Sequence, residues 1–433
     1  GQRGRVYFTL SSERKRHWSV IYLFMASENS DTASSTDAPG TLALLRQSEA
    51  SFNDAIKRLE HFLQIMGFLR NSLAGVLLSW IAFFVACVGL PLILIHLSSC
   101  RGCQEFEIAS VEIEVLFFNT LMASISLICL SRCLQKHGVK KLLLLDGLQA
   151  QTIQFRHEYT SKINDFFWML AYWLLPFLLL KTAREVALLL LTARQPRWHG
   201  MVTLVGVLFS WTYSNIIYLS GCVFFSLICN LQVIQYVNYG KLLEKQMEVT
   251  VYIEEHMRMT HELSNISHRF RTFFILEFIS VTASQFVALV RTTGGQGSIN
   301  LINGGDFAVS SLLEVVGLLL CLNAAAKITH RAQGVASVAT RWHSLITCES
   351  RINGKSSESD LEGGDYYLAE PTATQLTSTV DHYHKRNAFV MYLISNPGGI
   401  TIYGLAIDRG LINTIFFIEL SLVLFVLGKT ITF

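Results

Sequence analysis

The stretch GGITIYGLAIDRGLINTIFFIELSLVLFVLGKTITF, Gly398–Phe433, decides the fold. A glycine-containing lead-in reaches Asp408-Arg409. An apolar helix then runs almost to the end of the chain, interrupted mainly by Asn413, Thr414, Glu419, Ser421 and Lys429. A charge in a spanning helix costs about 2.5–3.5 kcal/mol at the bilayer centre on insertion scales. Glu419 is therefore expected to face protein or water, and a terminal helix of this kind is a candidate pore wall.

Working outward, six further stretches are long and apolar enough to span, at about 20 residues per crossing. They are Gly75–Leu97, Val111–Leu130, Phe166–Leu191 (which carries Pro176), Val202–Cys229, Phe273–Val290 and Phe307–Ala326; Leu411–Leu427 makes the seventh. The chain is 51% hydrophobic and only 15% charged, where soluble domains carry about 25% charged residues. This is the composition of a multi-pass membrane protein in contact with lipid, and apolar stretches of this length make the expected fold all-α. A net charge of +3 gives no reason to expect a nucleic-acid partner. The opening Gly1, in place of Met, points to a start further upstream. Trp18–Ala26, behind Arg14-Lys15-Arg16, resembles a signal-peptide h-region; a short amphipathic arm is the preferred alternative.

Lysine and arginine set the orientation. Of the 35 such residues, 28 fall in segments 1–74, 131–165, 230–272 and 327–410, whereas the opposite side holds Arg101, Arg194, Arg197, Arg291 and Lys429. The positive-inside rule then places the N-terminus in the cytosol and the C-terminus outside. Seven spans in that sense are the inverse of a G-protein-coupled receptor. The chain divides into a cytosolic N-terminal region (1–74), spans one to four (75–230), a cytosolic helical extension (231–272), spans five and six (273–326), a cytosolic loop with an anchor helix (327–410) and the seventh, pore-lining span (411–433). Two polar tracts, Ser27–Gly40 and Asn353–Thr379, are expected to be disordered because neither buries enough apolar surface to offset its ordering entropy. The Gly-rich stretch Arg291–Asp306 reads as a flexible outer cap.

Between Leu231 and Phe270 the residues Val233, Tyr236, Val237, Leu242, Leu243, Met247, Val251 and Ile253 recur at helical spacing, with charges between them and no proline. Spans four and five should thus continue as helices into the cytosol, where their apolar stripes must pack on something. The same expectation holds for Lys140–Phe155. Such extensions imply an intracellular packing domain and an oligomer.

Among nine cysteines, Cys87, Cys129, Cys222, Cys229 and Cys321 lie in spans and read as packing residues. Cys100 and Cys103 form a C-x-x-C in the first outer loop. Without a second pair or histidines, a local disulfide is favoured over zinc. No metal site and no cofactor is expected. Hydrolase, metalloprotease and nucleotide-binding motifs are absent from the sequence, and no inverted repeat points to a transporter. The rhodopsin-type receptor motifs fail on position. Asp408-Arg409 and Asn396-Pro397 both precede the last span and read as turn chemistry at a helix start.

In the third span Lys181 and Glu185 are an i,i+4 pair beside Arg184. They form either a pair snorkelling at the interface or an outward pocket for a small anion or a polarisable molecule. Glu277 lies one turn from the inner end of span five, where snorkelling is easy. Glu314, two turns from the outer end of span six, is a candidate pocket residue. Tyr172, Trp173, Trp211 and Tyr213, with Phe117 and Phe118, line an aromatic pocket or else serve as core. In the terminal helix Ile412, Ile415, Glu419, Leu422, Val426 and Lys429 follow 3/4 spacing and share one face. On a symmetry axis, Leu422 and Val426 would form a hydrophobic constriction and Glu419 and Lys429 charge rings. The alternative is a packed helix with Lys429 reaching outward.

With these features in place the chain resembles the insect gustatory receptor family. The resemblance rests on seven spans, inverted topology, extended inner helices and a short external C-terminus. The family's usual last-span pattern is T-Y, five apolar residues, then Q-F; here Ile418–Thr430 reads IELSLVLFVLGKT instead. That departure, with SSLLEVVGLLLCLNAAAKITHRAQGVASVATRWHSLITC at Ser310–Cys348, is similar to the carbon dioxide receptor subfamily. The resemblance implies a tetrameric ligand-gated cation channel in the plasma membrane of sensory neurons. Each subunit would give its last helix to a central pore and the inner halves of spans four to seven to an anchor, with the ligand pocket in the outer half of spans two to six. It also implies homologous partner subunits in a homo- or heterotetramer and a small-molecule ligand, carbon dioxide or bicarbonate. A receptor for another tastant or odorant remains the alternative. A G-protein-coupled receptor would need the opposite topology and would place the sequon Asn265-Ile266-Ser267 outside.

Overall fold

The computed structural model describes residues 38–70, 72–98, 105–143, 153–191, 197–243, 248–293, 301–359 and 373–431. The arm at 18–26, the C-x-x-C at 100–103 and the polar residues 27–37 lie outside them. The described chain is nearly all helix. Six of its helical stretches are long and apolar enough to cross a membrane: Ala74–His96, Glu112–His137, His157–Leu190, Gly200–Lys241, Val249–Val290 and Gly305–Cys348. These overlap the first six predicted spans. The seventh, Leu411–Leu427, lies inside a 23-residue helix, Arg409–Ile431. The chain separates into two compact units, residues 1–100 with 126–221, and residues 101–125 with 222–433.

The first unit opens with a helix that the sequence reading missed, α1 (Ala38–Ile65). Ala55, Leu59 and Leu63 recur every four residues and are fully buried, the spacing of one helical face. This face packs on α6 (Ile153–Leu191). The Phe62 ring meets Phe166 and Phe167 edge-on, and Arg58 donates to Asn164 Oδ1 at 3.3 Å. The first span comprises α2 (Leu73–Phe84), a wide turn at Val85–Gly89 and α3 (Leu90–Ser98). Here the Leu90 N–H donates to the Val85 carbonyl, five residues back. Pro91 follows at once; it lacks an N–H and its ring crowds the carbonyl four residues earlier, so the wider turn sits where a regular ladder would be interrupted. The outer surface of α2 and α6 is apolar, with Leu77, Leu78, Ile81, Leu175 and Leu179 exposed. In water such a surface would aggregate; in a bilayer it is the lipid-facing side.

Two helices, α4 (Glu105–His137) and α7 (Arg197–Leu242), contribute residues to both units. Between α4 and α6 stands a single turn, α5 (Val139–Leu142). The expected helix over 140–155 is therefore seen only at its two ends, and residues 144–152 lie outside the described ones.

The second unit is built on α8 (Val249–Thr293), α9 (Leu301–Ser359), α10 (Ala373–Ser395) and α11 (Arg409–Ile431). The 46-residue α7 and 45-residue α8 continue past the predicted spans, as the apolar spacing implied. Of the predicted stripe, Val233, Tyr236 and Leu243 are buried, Val251 and Ile253 are half-buried and Val237 is exposed. The side chains of Leu242 and Met247 lie outside the described residues. Helix α9 continues to Ser359 and α10 begins at Ala373, so the tract expected to be disordered, 353–379, is helical at both ends. Extending an existing helix fixes only one residue per added hydrogen bond, which a composition argument does not count. The helices likewise take in Arg291–Thr293 and Leu301–Asp306 from the predicted outer cap.

Between α10 and α11 the chain makes a two-stranded hairpin, β1 (Thr401–Ile402) and β2 (Leu405–Ala406), with Thr401 opposite Ala406. Its two-residue turn, Tyr403-Gly404, has φ of 48° and 88°. Both are left-handed, as a hairpin turn matched to the twist of its strands requires. Arg271 lies over the Tyr403 ring at 5.2 Å, a cation–π contact. The lead-in is pinned by side chains: the Ile400 N–H donates to Thr329 Oγ1 at 3.0 Å and the Thr401 N–H to Ser267 Oγ at 3.4 Å. Gly399 passes so close to α9 that a Cβ would sit 2.9 Å from Thr329 Cγ2. Asp408 then caps α11, its Oδ1 accepting the Leu411 N–H at 2.8 Å. Asp408 thus has the turn role expected of it.

Candidate functional site

Spanning helices admit hydroxyls when their own backbone satisfies them. Thr282 lies 2.8 Å from the Phe278 carbonyl, and Thr182, Ser214 and Thr329 repeat that four-residue reach. Carboxylates and amides cannot be settled so locally. Their positions therefore mark where the helices enclose something polar.

In the second unit α8 turns Glu277, Ser280, Ser284 and Gln285 inward, all buried, while Ile279 and Phe286 face out. Helix α9 answers with Ser310, Ser311 and Glu314, and α4 sends Asn119 Nδ2 to Ser310 Oγ at 3.4 Å. Glu419 of α11 is 1% exposed, and its Oε1 lies 3.2 Å from Thr282 Oγ1. Ser284 hydrogen-bonds Glu314, and Glu419 is close enough to Glu314 to act on it electrostatically. Two acids assigned from sequence to a ligand pocket (Glu314) and to a pore (Glu419) thus share one buried polar seam.

Helix α11 has a buried side, with Glu419 and Val423, and an uncovered side of Asn413, Thr414, Phe417, Ser421 and Leu424. Ile412, Ile415 and Leu422 are half-buried. The side chains of Val426 and Lys429 lie outside the described residues. Glu277 does not snorkel, contrary to expectation. It is 1% exposed and accepts the Cys222 thiol at 3.2 Å through Oε1. The physical reason is that α8 begins at Val249, so Glu277 sits far inside a covered helix rather than at its watery end.

In the first unit the predicted triad of α6 is formed. Lys181 Nζ and Arg184 Nη1 both reach Glu185 Oε1, at 2.9 and 2.6 Å. The three side chains are 5%, 8% and 9% exposed, so this is a buried ionic cluster and not a pair reaching for interfacial water. Trp211 is buried, Tyr213 half-buried and stacked on Phe209, and Trp173 half-buried against Tyr172, which is itself exposed. Tyr172 thus points away from the interior of its unit.

One group escaped sequence reasoning altogether. Cys222, Glu277 and Cys321 are far apart in the chain, yet their ligand atoms all lie within 4.8 Å of one another. No spacing rule finds three ligands on three different helices.

The fold and these buried acids and bases define a multi-pass α-helical membrane protein with a polar interior. The chain belongs to the family described as "Protein of unknown function (DUF3537)", whose profile matches residues 54–418. Among solved structures it is similar to the insect olfactory receptor OR5 from Machilis hrabei, at 10% identity and a TM-score of 0.46, over 87% of this chain and 98% of that one. The same receptor in complex with eugenol matches at 11% identity and the same TM-score and coverage. No curated protein matches the chain.

Proposed function

We propose that this chain is a subunit of a ligand-gated cation channel that works as a chemosensory receptor in the plasma membrane. The reading takes the N-terminus as cytosolic, four subunits around the terminal helix, and carbon dioxide, met as bicarbonate, as the ligand. The observation that carries it is the mounting of α11. This helix is capped by Asp408, led in by a pinned hairpin and joined to α8 through Glu419 and Thr282. A terminal helix held at its base and along one side is a suitable gate element. The Lys181–Arg184–Glu185 cluster supports the ligand assignment. Bicarbonate presents the acceptor that Glu185 presents, and would compete for the same two cations.

The chain reconstituted in planar bilayers tests this. At fixed pH, carbon dioxide–bicarbonate is expected to open a cation current, and Lys181→Gln to weaken that response at least tenfold. Opening by other small molecules alone would retain the channel and discard carbon dioxide. A well-inserted chain that passes no ligand-dependent current would sink the reading.

Topology has its own check. A sequon engineered into the 294–300 segment is expected to be glycosylated, and Asn265 to stay bare. Asn265 lies within α8, and the hydroxyl of its sequon partner Ser267 is buried and holds the hairpin. A mobility shift at Asn265 in the unmodified chain would reverse the orientation and favour a G-protein-coupled receptor.

A further inference from the structure

Three neighbouring helices each bring one side chain of a type that ligates metals to a common level: Cys222 from α7, Glu277 from α8 and Cys321 from α9. All three are essentially fully buried, at 0%, 1% and 0% exposure. Their ligand atoms lie within 4.8 Å of one another, with Cys222 Sγ 3.2 Å from Glu277 Oε1. Cys321 Sγ sits 3.7 Å from the Cys222 carbonyl oxygen. A tetrahedral zinc ion with Zn–S near 2.3 Å and Zn–O near 2.1 Å holds its ligand atoms roughly 3.5–3.8 Å apart. To reach that geometry the widest separations contract by about 1 Å or less and the Cys222–Glu277 pair opens by roughly 0.4 Å, which small side-chain rotations supply.

The chemistry of the set is selective. Two sulfurs favour a soft or borderline ion over calcium or magnesium, and the carboxylate favours a divalent ion over cuprous copper. A carboxylate buried among apolar helices also gains from a cation placed against it. We propose that Cys222, Glu277 and Cys321 form a zinc site that ties α7, α8 and α9 together. Binding converts two thiols to thiolates and releases two protons. With the carboxylate the site then carries one net negative charge, and a water completes the tetrahedron. This site stands independently of the channel reading.

The test uses the full chain purified in nanodiscs, first loaded with zinc and then with cobalt as a coloured substitute. About one zinc per chain is expected to survive desalting, and the cobalt form to show a near-ultraviolet sulfur-to-cobalt charge-transfer band. Cys222→Ser and Cys321→Ser each lose that band, and Glu277→Gln weakens zinc binding roughly tenfold or more. Cys229→Ser, on the same helix but outside the cluster, keeps both signals. The cobalt titration of the unaltered chain needs no variant to fold, and absence of the band there overturns the site. A chain two mass units lighter that joins Cys222 to Cys321 as a disulfide overturns it as well.

Discussion

Replacing Glu185 by alanine is expected to destabilise the first unit by about 3–5 kcal/mol, the usual cost of breaking a buried ion pair from one side. The reason is geometric. Lys181 and Arg184 both reach Oε1 of this one carboxylate, at 2.9 and 2.6 Å, and all three side chains are nearly closed off from water. Glu185→Gln keeps an oxygen acceptor in the same place and should lose markedly less. Melting of the purified chain in detergent, followed by fluorescence-detected size exclusion, reads both. A Glu185→Ala form that melts with the unaltered chain would mean that the cluster is wetter than its burial indicates. The pair of variants also bears on function: a response to bicarbonate that survives Glu185→Gln but not Lys181→Gln fits an anion competing for the cations.

The second large effect is expected in the second unit near the start of α8, where Tyr252→Ala should cost about 3–5 kcal/mol, as for other large-to-small changes in a packed core. Tyr252 is fully buried, its ring 6.0 Å from Trp342 of α9 and 5.9 Å from Phe389 of α10. Its carbonyl accepts the Tyr239 hydroxyl of α7 at 2.9 Å. One residue therefore meets three helices, and truncating it leaves a cavity that rigid neighbours cannot fill. Val237→Ala, on the exposed side of α7, is expected to stay within about 0.5 kcal/mol. The fraction of chain that remains monodisperse on heating measures both. Equal melting of Tyr252→Ala and Val237→Ala would mean that the contacts around Tyr252 do not hold α7, α8, α9 and α10 together.

The two effects differ in how far the sequence alone foreshadows them. The ionic cluster was legible because its members sit one helical turn apart in α6, where spacing alone makes neighbours. Its burial was not legible, since interfacial and enclosed pairs share the same spacing. The continuation of α7 and α8 was legible as an apolar stripe running past the end of the fourth predicted span. The residues that anchor it are only partly marked: Tyr236 lies on that stripe, whereas nothing in the spacing singles out Tyr239, Tyr252 or Phe389. Likewise α1 went unread beside its polar tract, although Ala55, Leu59 and Leu63 carry the four-residue period.

The sequence by itself determined that this chain is built of several helices long and apolar enough to cross a membrane, and that two of them continue well beyond a bilayer's width. Hydropathy and period are local properties, and a bilayer rewards them residue by residue. Only the tertiary structure decided where the polar side chains go. It turned Glu277 inward onto Cys222, brought Glu314 and Glu419 into one seam, and gathered Cys222, Glu277 and Cys321 from three helices. Those meetings depend on the rotation and depth of each helix against its neighbours. Rotation and depth are set by the sum of many weak packing contacts, and no short stretch of sequence contains that sum.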